Sequence, residues 1–313
     1  MAEQFACCVT NGVEIHMIIS VSRRTDIPAF YGEWFINRIR EKYCKVHNPF
    51  NPQQISIVEL APEKVDAIVF WSKNPAPFIQ FLPEFEKYGY RYYFLFTLNP
   101  YPPPLEGNLP PIRKRIETFR TLSNKIGNER VVWRYDPIIF SSKYDMLFHL
   151  KAFNEISENL KGACCRVIIS VIDFYRKVER RLKEIEKTTS DRFDRMPDSA
   201  SGTVRLIKQM AEIAQRNGIQ LQTCCEPELA HSANVPDGKC IDDELIYRIF
   251  NIKTDNRKDP GQRPECKCVV SRDVGSPDTC QHKCAYCYAV TSFETADRRA
   301  KQHDPSIPFL VPS

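Results

Sequence analysis

A regular alternation of short apolar runs with amphipathic helical patterns is the feature that most constrains the fold of this chain. Six apolar runs occupy residues 17–22, 67–71, 91–97, 130–134, 166–172 and 219–223. Runs that are apolar on both faces suit the strands of a parallel sheet covered by helices. The series predicts a (βα)6-type partial TIM barrel of parallel strands. A doubly wound open sheet is the alternative, but no Gly-x-Gly-x-x-Gly loop follows any of the runs.

Helical patterns fill the intervals between these runs, and one of them predicts a helix over residues 29–45. Residues 176–187 interleave lysine, arginine and glutamate, which predicts a solvated helix held by ion pairs. Residues 253–265 are polar and rich in proline, which is typical of a linker. We therefore predict a partial barrel over residues 1–252. A cysteine-rich, cluster-binding segment over residues 253–313 is expected to pack on the barrel mouth.

Composition places the chain among globular proteins with a sizeable core. The chain has 313 residues, 42% of them hydrophobic, and no apolar run long enough to cross a membrane. Its first residues lack the basic start and apolar stretch of a signal peptide, so a cytoplasmic location is expected. The net charge of +5 is spread along the chain, whereas non-specific nucleic-acid binding usually needs a denser basic patch.

Polar side chains follow the apolar runs, at the points where the predicted strands end. The carboxyl ends of parallel barrel strands meet on one face, where barrel enzymes place their sites. Arginine donates two parallel hydrogen bonds to a carboxylate, so Arg23, Arg24 and Arg134 are candidate carboxylate-binding residues. The other candidates are Asp26, Lys73, Asn74 and Glu226 for cofactor binding, and Tyr135, Asp136, Asp173 and Tyr175 for catalysis or substrate binding. Helix capping is the alternative role for part of this set, Asp26 and Asn74 in particular.

Thirteen cysteines is a high number, and eight of them follow residue 220. An odd number of cysteines in a chain without a secretion signal favours metal binding over a disulfide framework. Cys280, Cys284 and Cys287 form a C-x3-C-x2-C motif. Three thiolates can bind three irons of a 4Fe–4S cluster, which leaves the fourth iron open for an exogenous ligand. A zinc site with His282 as a further ligand is the alternative, although zinc motifs favour paired C-x2-C elements.

A second set of thiols lies outside this motif. It consists of Cys224, Cys225, Cys240, Cys266 and Cys268. One of the two adjacent cysteines and the three later ones supply four ligands, which is the number that a fully protein-bound 4Fe–4S cluster takes. A structural zinc ion with the same ligands and simple burial of the thiols are the alternatives.

The motif at Cys280 resembles the signature of the radical S-adenosylmethionine (SAM) superfamily, C-x3-C-x-aromatic-C, with Tyr286 in the aromatic position. In that superfamily SAM chelates the open iron through its amino and carboxylate groups. One electron then cleaves SAM to methionine and a 5′-deoxyadenosyl radical, which abstracts hydrogen from the substrate. The motif usually follows the first barrel strand, so its late position here implies a circularly permuted barrel. Residues 269–274 would form the strand before the cluster loop, and their pairing beside residues 17–22 would close the barrel. The superfamily's Gly-Gly-Glu segment has no clear match in this chain.

Four segments resemble a prokaryotic family of domains of unknown function that is related to radical SAM proteins. They are residues 22–31, 70–75, 133–137 and 263–289. The resemblance extends from about residue 17 to residue 290 and supports both the barrel and the cluster predictions. It implies no particular substrate.

Together these patterns predict a radical SAM-type enzyme that cleaves SAM reductively and abstracts hydrogen from an organic substrate. An electron donor such as ferredoxin or flavodoxin is the expected partner. One alternative is a nucleic-acid-acting repair or modification enzyme of the same superfamily. Another is a zinc- or iron–sulfur-binding protein without catalysis, which would yield no 5′-deoxyadenosine when it is reduced in the presence of SAM.

Overall fold

Eight parallel strands form one sheet with the shape of a half-barrel, in a computed structural model that describes residues 16–49, 51–195 and 199–312. In the order in which they lie side by side, the strands are β10 (Arg272–Asp273), β1 (Met17–Val21), β4 (Val65–Ser72), β5 (Tyr92–Thr97), β6 (Val131–Ile138), β7 (Arg166–Val171), β8 (Gln220–Cys224) and β9 (Asp237–Gly238). The six predicted strands correspond to β1 and β4–β8. The prediction of a partial barrel in the α/β class is thus confirmed.

Helices connect these strands, and most of them pack against one face of the sheet. Their bounds are α1 (Ile27–Phe30), α2 (Gly32–Glu41), α3 (Leu82–Lys87), α4 (Ile112–Ile126), α5 (Met146–Asn159), α6 (Arg176–Thr188), α7 (Ser199–Arg216), α8 (Pro227–Ala233), α9 (Asp243–Phe250) and α10 (Phe293–Ala300). Short 3-10 helices occupy residues 62–64, 76–81 and 128–130. Within the described ranges no helix has the length and apolar character needed to cross a membrane.

The strands are apolar on both faces because each face packs against a different part of the molecule. In β5, Phe94 and Phe96 belong to the core under the helices, whereas Tyr93 and Leu95 belong to the interior of the half-barrel. Successive side chains of a strand point to opposite faces, which explains this division. The interior also contains Cys240 and the apolar face of α9.

One predicted helix is shorter than expected and is followed by an unpredicted hairpin. The helix that we predicted over residues 29–45 ends at Glu41, and Lys42 adopts a left-handed conformation with φ of 64°. Strands β2 (Tyr43–Asn48) and β3 (Asn51–Glu59) then pair antiparallel in a separate two-stranded sheet. A left-handed residue ends a helix because it turns the chain away from the helix axis.

The pairing that we predicted for residues 269–274 is present, because β10 lies parallel to β1 with Ile19 opposite Arg272. This pairing does not close the barrel, since β10 and β9 remain the two edge strands of the described sheet. The two edges nevertheless approach each other, because the backbone N–H of Val269 donates to the carbonyl of Ile241 at 3.2 Å. The boundary that we predicted at residue 252 stays a prediction.

Helix α6 is amphipathic, which corrects the expectation of a wholly solvated helix. Its charged face carries the expected ion pairs, such as Lys183 with Glu179 at 3.0 Å. Its other face buries Val178, Leu182 and Ile185 against the segment that contains the C-x3-C-x2-C motif. The apolar positions at 3- and 4-residue spacing form a stripe that the surrounding charges obscure in the sequence.

Candidate active site

A cavity of ≈ 590 Å³ opens at the carboxyl ends of the sheet strands. Its wall includes Arg134 and Asp136 of β6 and residues that follow β1, β4, β7 and β8, which is where barrel enzymes place their sites. All eight predicted metal-binding cysteines line this cavity: Cys224, Cys225, Cys240, Cys266, Cys268, Cys280, Cys284 and Cys287. The structure thus gathers both thiol sets around one space, although they are far apart in the sequence.

The cluster loop, residues 280–287, is held against the loop that follows β5. Glu106 and Cys284 form an isolated antiparallel bridge, and the Ala285 N–H donates to the Leu105 carbonyl at 2.9 Å. The Asn108 N–H donates to the carbonyl of His282 at 2.9 Å. Because these bonds join backbone to backbone, they fix the path of the loop independently of its side chains.

Arg181 of α6 holds the end of the cluster loop. Its guanidinium donates to the carbonyl oxygens of Ala285 at 2.7 Å and Val290 at 2.9 Å, and also to that of Cys287. One planar fork therefore satisfies three carbonyl groups that would otherwise lack partners. The charge-dense sequence of α6 gave no indication of this role.

A buried ionic network lies behind the loop and is centred on Glu106, which is 2% exposed. Its carboxylate accepts from Lys73 Nζ at 2.9 Å and from the Tyr286 hydroxyl, and it lies 3.2 Å from Arg115 Nη1. Although burial acts to raise the pKa of Glu106, Lys73 and Arg115 hold it below its ordinary value. Asn99 donates to the Tyr286 hydroxyl at 3.0 Å. The aromatic residue of the motif is thus anchored by its hydroxyl group.

Asp26 connects the loop after β1 to the cluster loop. Its carboxylate accepts from the Ala29 N–H at 3.0 Å, which caps α1 as the alternative role of Asp26 predicted. It also accepts from the Lys73 N–H at 2.7 Å and lies 2.7 Å from His282 Nε2. Both ring nitrogens of His282 are thus engaged, since Nδ1 lies 3.4 Å from the carbonyl oxygen of Asn108.

The thiols of the cluster loop are shielded from water to different degrees. Cys284 is buried, whereas Cys280 and Cys287 are partly exposed toward the cavity. Burial raises the pKa of Cys284 to about 12. Burial and then the neighbouring Cys287 raise the pKa of Cys280. A thiol with a raised pKa is a poor nucleophile, which disfavours a nucleophilic role for Cys280 and Cys284.

Two arginines and a tryptophan form the opposite wall. The guanidinium groups of Arg23 and Arg134 lie 5.4 and 4.8 Å from the ring centre of Trp71. Arg134 also pairs with Asp136, and its Nε is buried without a hydrogen-bond partner. Although burial acts to lower the pKa of Arg134, Asp136 and nearby thiols raise it. A buried, charged donor without a partner is an attachment point for an anionic ligand group.

The second thiol set forms a ring in which each sulfur interacts with two others. In order around it, the members are Cys224, Cys240, Cys268, Cys266 and Cys225. The sulfurs of Cys224 and Cys240 are 3.5 Å apart. The cysteines are free thiols, and no three His, Cys, Asp or Glu side chains among the described residues are arranged as a ready site for a single ion.

A polar group borders this five-thiol ring on the solvent side. Arg263 pairs with Asp173, and the ring of Tyr175 lies 6.0 Å from that of Tyr288. Glu226 accepts from the Val171 N–H at 3.1 Å, and burial raises its pKa to about 7. Burial also raises the pKa of Asp173, an effect that Arg263 opposes.

The structure brings most of the predicted strand-end residues together. Those that line the cavity are Arg23, Arg24, Asp26, Lys73, Arg134, Asp136, Asp173 and Tyr175. Three do not line it. Tyr135 points into the core under the helices, where its hydroxyl meets His149 Nδ1 at 2.8 Å. Glu226 lies behind the wall, and the Asn74 backbone donates to Ser72 Oγ at 3.0 Å without capping a helix through its side chain.

Several residues of this site were not predicted from the sequence. Trp71 ends an apolar run, and its side chain could have been placed by strand alternation. Glu106, Arg181 and Arg263 lie in segments without a strand-end pattern, so only the folded chain reveals their contacts.

A comparison with models of protein families identifies the family to which the chain is similar. A family model described as "Domain of unknown function (DUF1848)" matches residues 18–289. A search of curated proteins found no match to the chain. The matched span includes the cluster loop and the five-thiol ring, so every cysteine on the cavity wall falls within it.

Proposed function

The chain belongs to the family described as domain of unknown function DUF1848, and from this premise we propose that it is a radical SAM-type enzyme acting on an organic substrate. One observation carries the proposal. Cys280, Cys284 and Cys287, in the C-x3-C-x2-C arrangement, share a cavity at the carboxyl ends of parallel strands with a buried, unpartnered donor of Arg134.

The donor set fits an iron–sulfur cluster better than a zinc ion. Thiolates are the usual protein ligands of such clusters, and a set of three leaves one iron without a protein ligand. His282 contacts Asp26 through Nε2 and the Asn108 carbonyl oxygen through Nδ1, so neither ring nitrogen is directed at the three thiols. When bound with SAM on the open iron, the cluster supplies the electron that cleaves SAM and so produces a radical that abstracts hydrogen.

The chain's own residues would bind and orient the reactants. Arg134 has the free Nε needed for a carboxylate of SAM or of the substrate. Trp71 supplies a flat apolar surface beside it. Asp136 keeps Arg134 in place, and Asp173 and Tyr175 line the outer part of the cavity, where a substrate would enter.

Lys73 takes a positioning role in this proposal and does not bind the cofactor. Its Nζ is already bonded to Glu106 and to the Tyr286 hydroxyl, so it has little capacity left for SAM. The volume of the cavity, ≈ 590 Å³, lies within the range of about 300–1,000 Å³ typical of small-molecule sites. We therefore favour a small organic substrate, with a ferredoxin or flavodoxin as electron donor.

The proposal includes a circular permutation of the barrel. In this arrangement β10 acts as the strand that precedes the cluster loop, and it lies beside β1 as a first barrel strand would lie beside the second. The register that places Ser20 opposite Asp273 supports it, because Ser20 and Ser22 both donate to the Asp273 carboxylate, at 2.8 and 2.6 Å.

Reductive cleavage of SAM tests the proposal directly. The protein is reconstituted anaerobically with iron and sulfide and reduced with dithionite in the presence of SAM, and 5′-deoxyadenosine is measured by liquid chromatography. We expect product from the native chain and none from Cys284→Ser. Cys165→Ser is the matched control, because Cys165 is a partly exposed thiol that does not line the cavity. A colourless, zinc-loaded protein that yields no 5′-deoxyadenosine would overturn the proposal.

The role of Arg134 has its own test. Arg134→Ala removes the guanidinium group that would bind a carboxylate, so we expect SAM affinity to fall by about 10- to 100-fold, as the loss of a charged hydrogen bond implies. Equilibrium dialysis with labelled SAM measures this change. An unchanged affinity would remove Arg134 from the SAM site.

A further inference from the structure

The five-thiol ring is a feature that the proposed radical chemistry does not require. We propose that Cys224, Cys240, Cys266 and Cys268 bind a second iron–sulfur cluster, which is separate from the cluster loop. Cys225 is the fifth thiol and borders the cavity. This inference stands independently of SAM cleavage.

The ring is assembled from separate parts of the chain. Cys224 ends β8, Cys240 follows β9, and Cys266 and Cys268 precede β10. Strands β9 and β10 are the two edges of the open sheet. The ring therefore spans the space between these edges, which no strand pairing closes. A metal held by ligands from both edges would join them, since a structural metal site links the segments that supply its ligands.

The burial of the four ligands is consistent with a metal centre and differs from that of Cys225. Cys224, Cys240, Cys266 and Cys268 are 9%, 2%, 5% and 2% exposed, whereas Cys225 is only partly buried. Isolated buried thiols are common because cysteine packs as a small apolar residue. Four of them, drawn from different segments and joined sulfur to sulfur, are not needed to fill space, because valine or alanine would do so equally well.

Positive and hydrogen-bonding groups surround the ring as expected for thiolate ligands. The Arg23 guanidinium interacts with Cys268, and that of Arg263 interacts with Cys225. The Ile241 N–H donates to Cys268 Sγ at 3.3 Å. A centre with four thiolates carries negative charge, which the guanidinium group beside Cys268 would partly offset. Hydrogen bonds to the sulfurs are a usual part of iron–sulfur sites.

Metal analysis of a chain without the cluster-loop thiols tests this proposal. The variant Cys280→Ala/Cys284→Ala/Cys287→Ala is reconstituted anaerobically, once with ferrous iron and sulfide and once with Zn²⁺ alone. We expect it to retain about four irons and four sulfides per chain, the content of a cubic cluster, rather than the single ion of a tetrahedral zinc site. Metal content is read by mass spectrometry and by visible absorption.

The controls separate the ring from other thiols. Adding Cys266→Ser and Cys268→Ser to the triple variant should remove the metal, whereas adding Cys164→Ala and Cys165→Ala, which do not line the cavity, should not. Adding Cys225→Ala should also leave the metal in place, and its loss there would overturn the assignment of the four buried ligands. Far-UV circular dichroism checks that each variant is folded.

Two results would overturn the proposal. One is a folded triple variant that holds no more metal than the variant in which Cys266 and Cys268 are replaced in addition to the three cluster-loop cysteines. The other result applies if the triple variant does not fold. It is a native chain that holds no more metal than the Cys266→Ser/Cys268→Ser double variant. Because neither measurement involves SAM, failure of this proposal and failure of the proposed function are distinguishable.

Discussion

Replacement of Glu106 should destabilise the fold more than any surface ion pair does. Glu106 is 2% exposed and holds the charges of Lys73 and Arg115 together with the Tyr286 hydroxyl. The Glu106→Ala variant leaves two cationic side chains without their carboxylate, one of them 3% exposed. Removal of one partner of a buried ion pair costs about 3–5 kcal/mol, since the remaining charge is uncompensated.

Urea unfolding followed by tryptophan fluorescence measures this loss. The expected decrease in the free energy of unfolding is about 3–5 kcal/mol, and the melting temperature should fall by roughly 6–10 °C or more. Glu106→Gln keeps the shape of the side chain and removes its charge, so it should lower the free energy of unfolding by less than Glu106→Ala does. The decrease should still exceed about 1 kcal/mol, because a hydrogen bond to a charged group is lost.

Glu117→Gln is the matched control, because Glu117 forms an exposed ion pair with Lys114 at 3.1 Å. The exposed fractions of the two side chains are 64% for Glu117 and 71% for Lys114. An exposed pair of this kind contributes about 0–1 kcal/mol. The double variant Glu106→Gln/Lys73→Met should recover part of the stability, since it removes one of the unpaired charges. The reasoning is refuted if Glu106→Ala and Glu117→Gln unfold within about 1 kcal/mol of each other.

Three further predictions concern other parts of the molecule. Burial lowers the pKa of His149 to about 4. As the pH falls below about 6.5, His149 binds a proton in the unfolded chain but stays neutral in the folded chain. The free energy of unfolding should therefore decrease by about 3 kcal/mol between pH 7 and pH 4. His149→Gln should flatten this dependence in pH-resolved urea titrations. Gly275→Ala should destabilise the chain by about 1–3 kcal/mol in the same assay, because the added Cβ would lie 1.9 Å from Ser22 Oγ; an unchanged midpoint would contradict the close approach. Arg181→Met should lower iron retention by the cluster loop, measured as bleaching of the visible absorption over time, whereas Arg180→Met, which loses one exposed contact, should bleach at the native rate.

The positions of the six central strands could be read from the sequence because they follow from local pattern. Each run is short, apolar on both faces and ended by a polar turn, which suits a buried parallel strand. The hairpin of β2 and β3 was not predicted, because the first residues of β2 continue the apolar spacing of the preceding helix. Its formation depends on pairing with residues 51–59, a tertiary contact that propensity does not encode.

Tyr135 illustrates a signal that was present but not used. Arg134 and Asp136 line the cavity, whereas Tyr135 between them faces the helices. Strand residues alternate between faces, so two residues that share a site exclude the one between them. The face to which a strand-end residue points is therefore a better predictor of a site residue than its polarity is.

By itself the sequence determined the positions of the six central strands and the C-x3-C-x2-C motif, because each depends on residues close together in the chain. Only the tertiary structure decided that Cys224, Cys240 and Cys266 meet as one ring and that Glu106 and Arg181 hold the cluster loop. These contacts join segments that lie far apart in the sequence, and their geometry is set by the packing of the whole sheet, which no local pattern records.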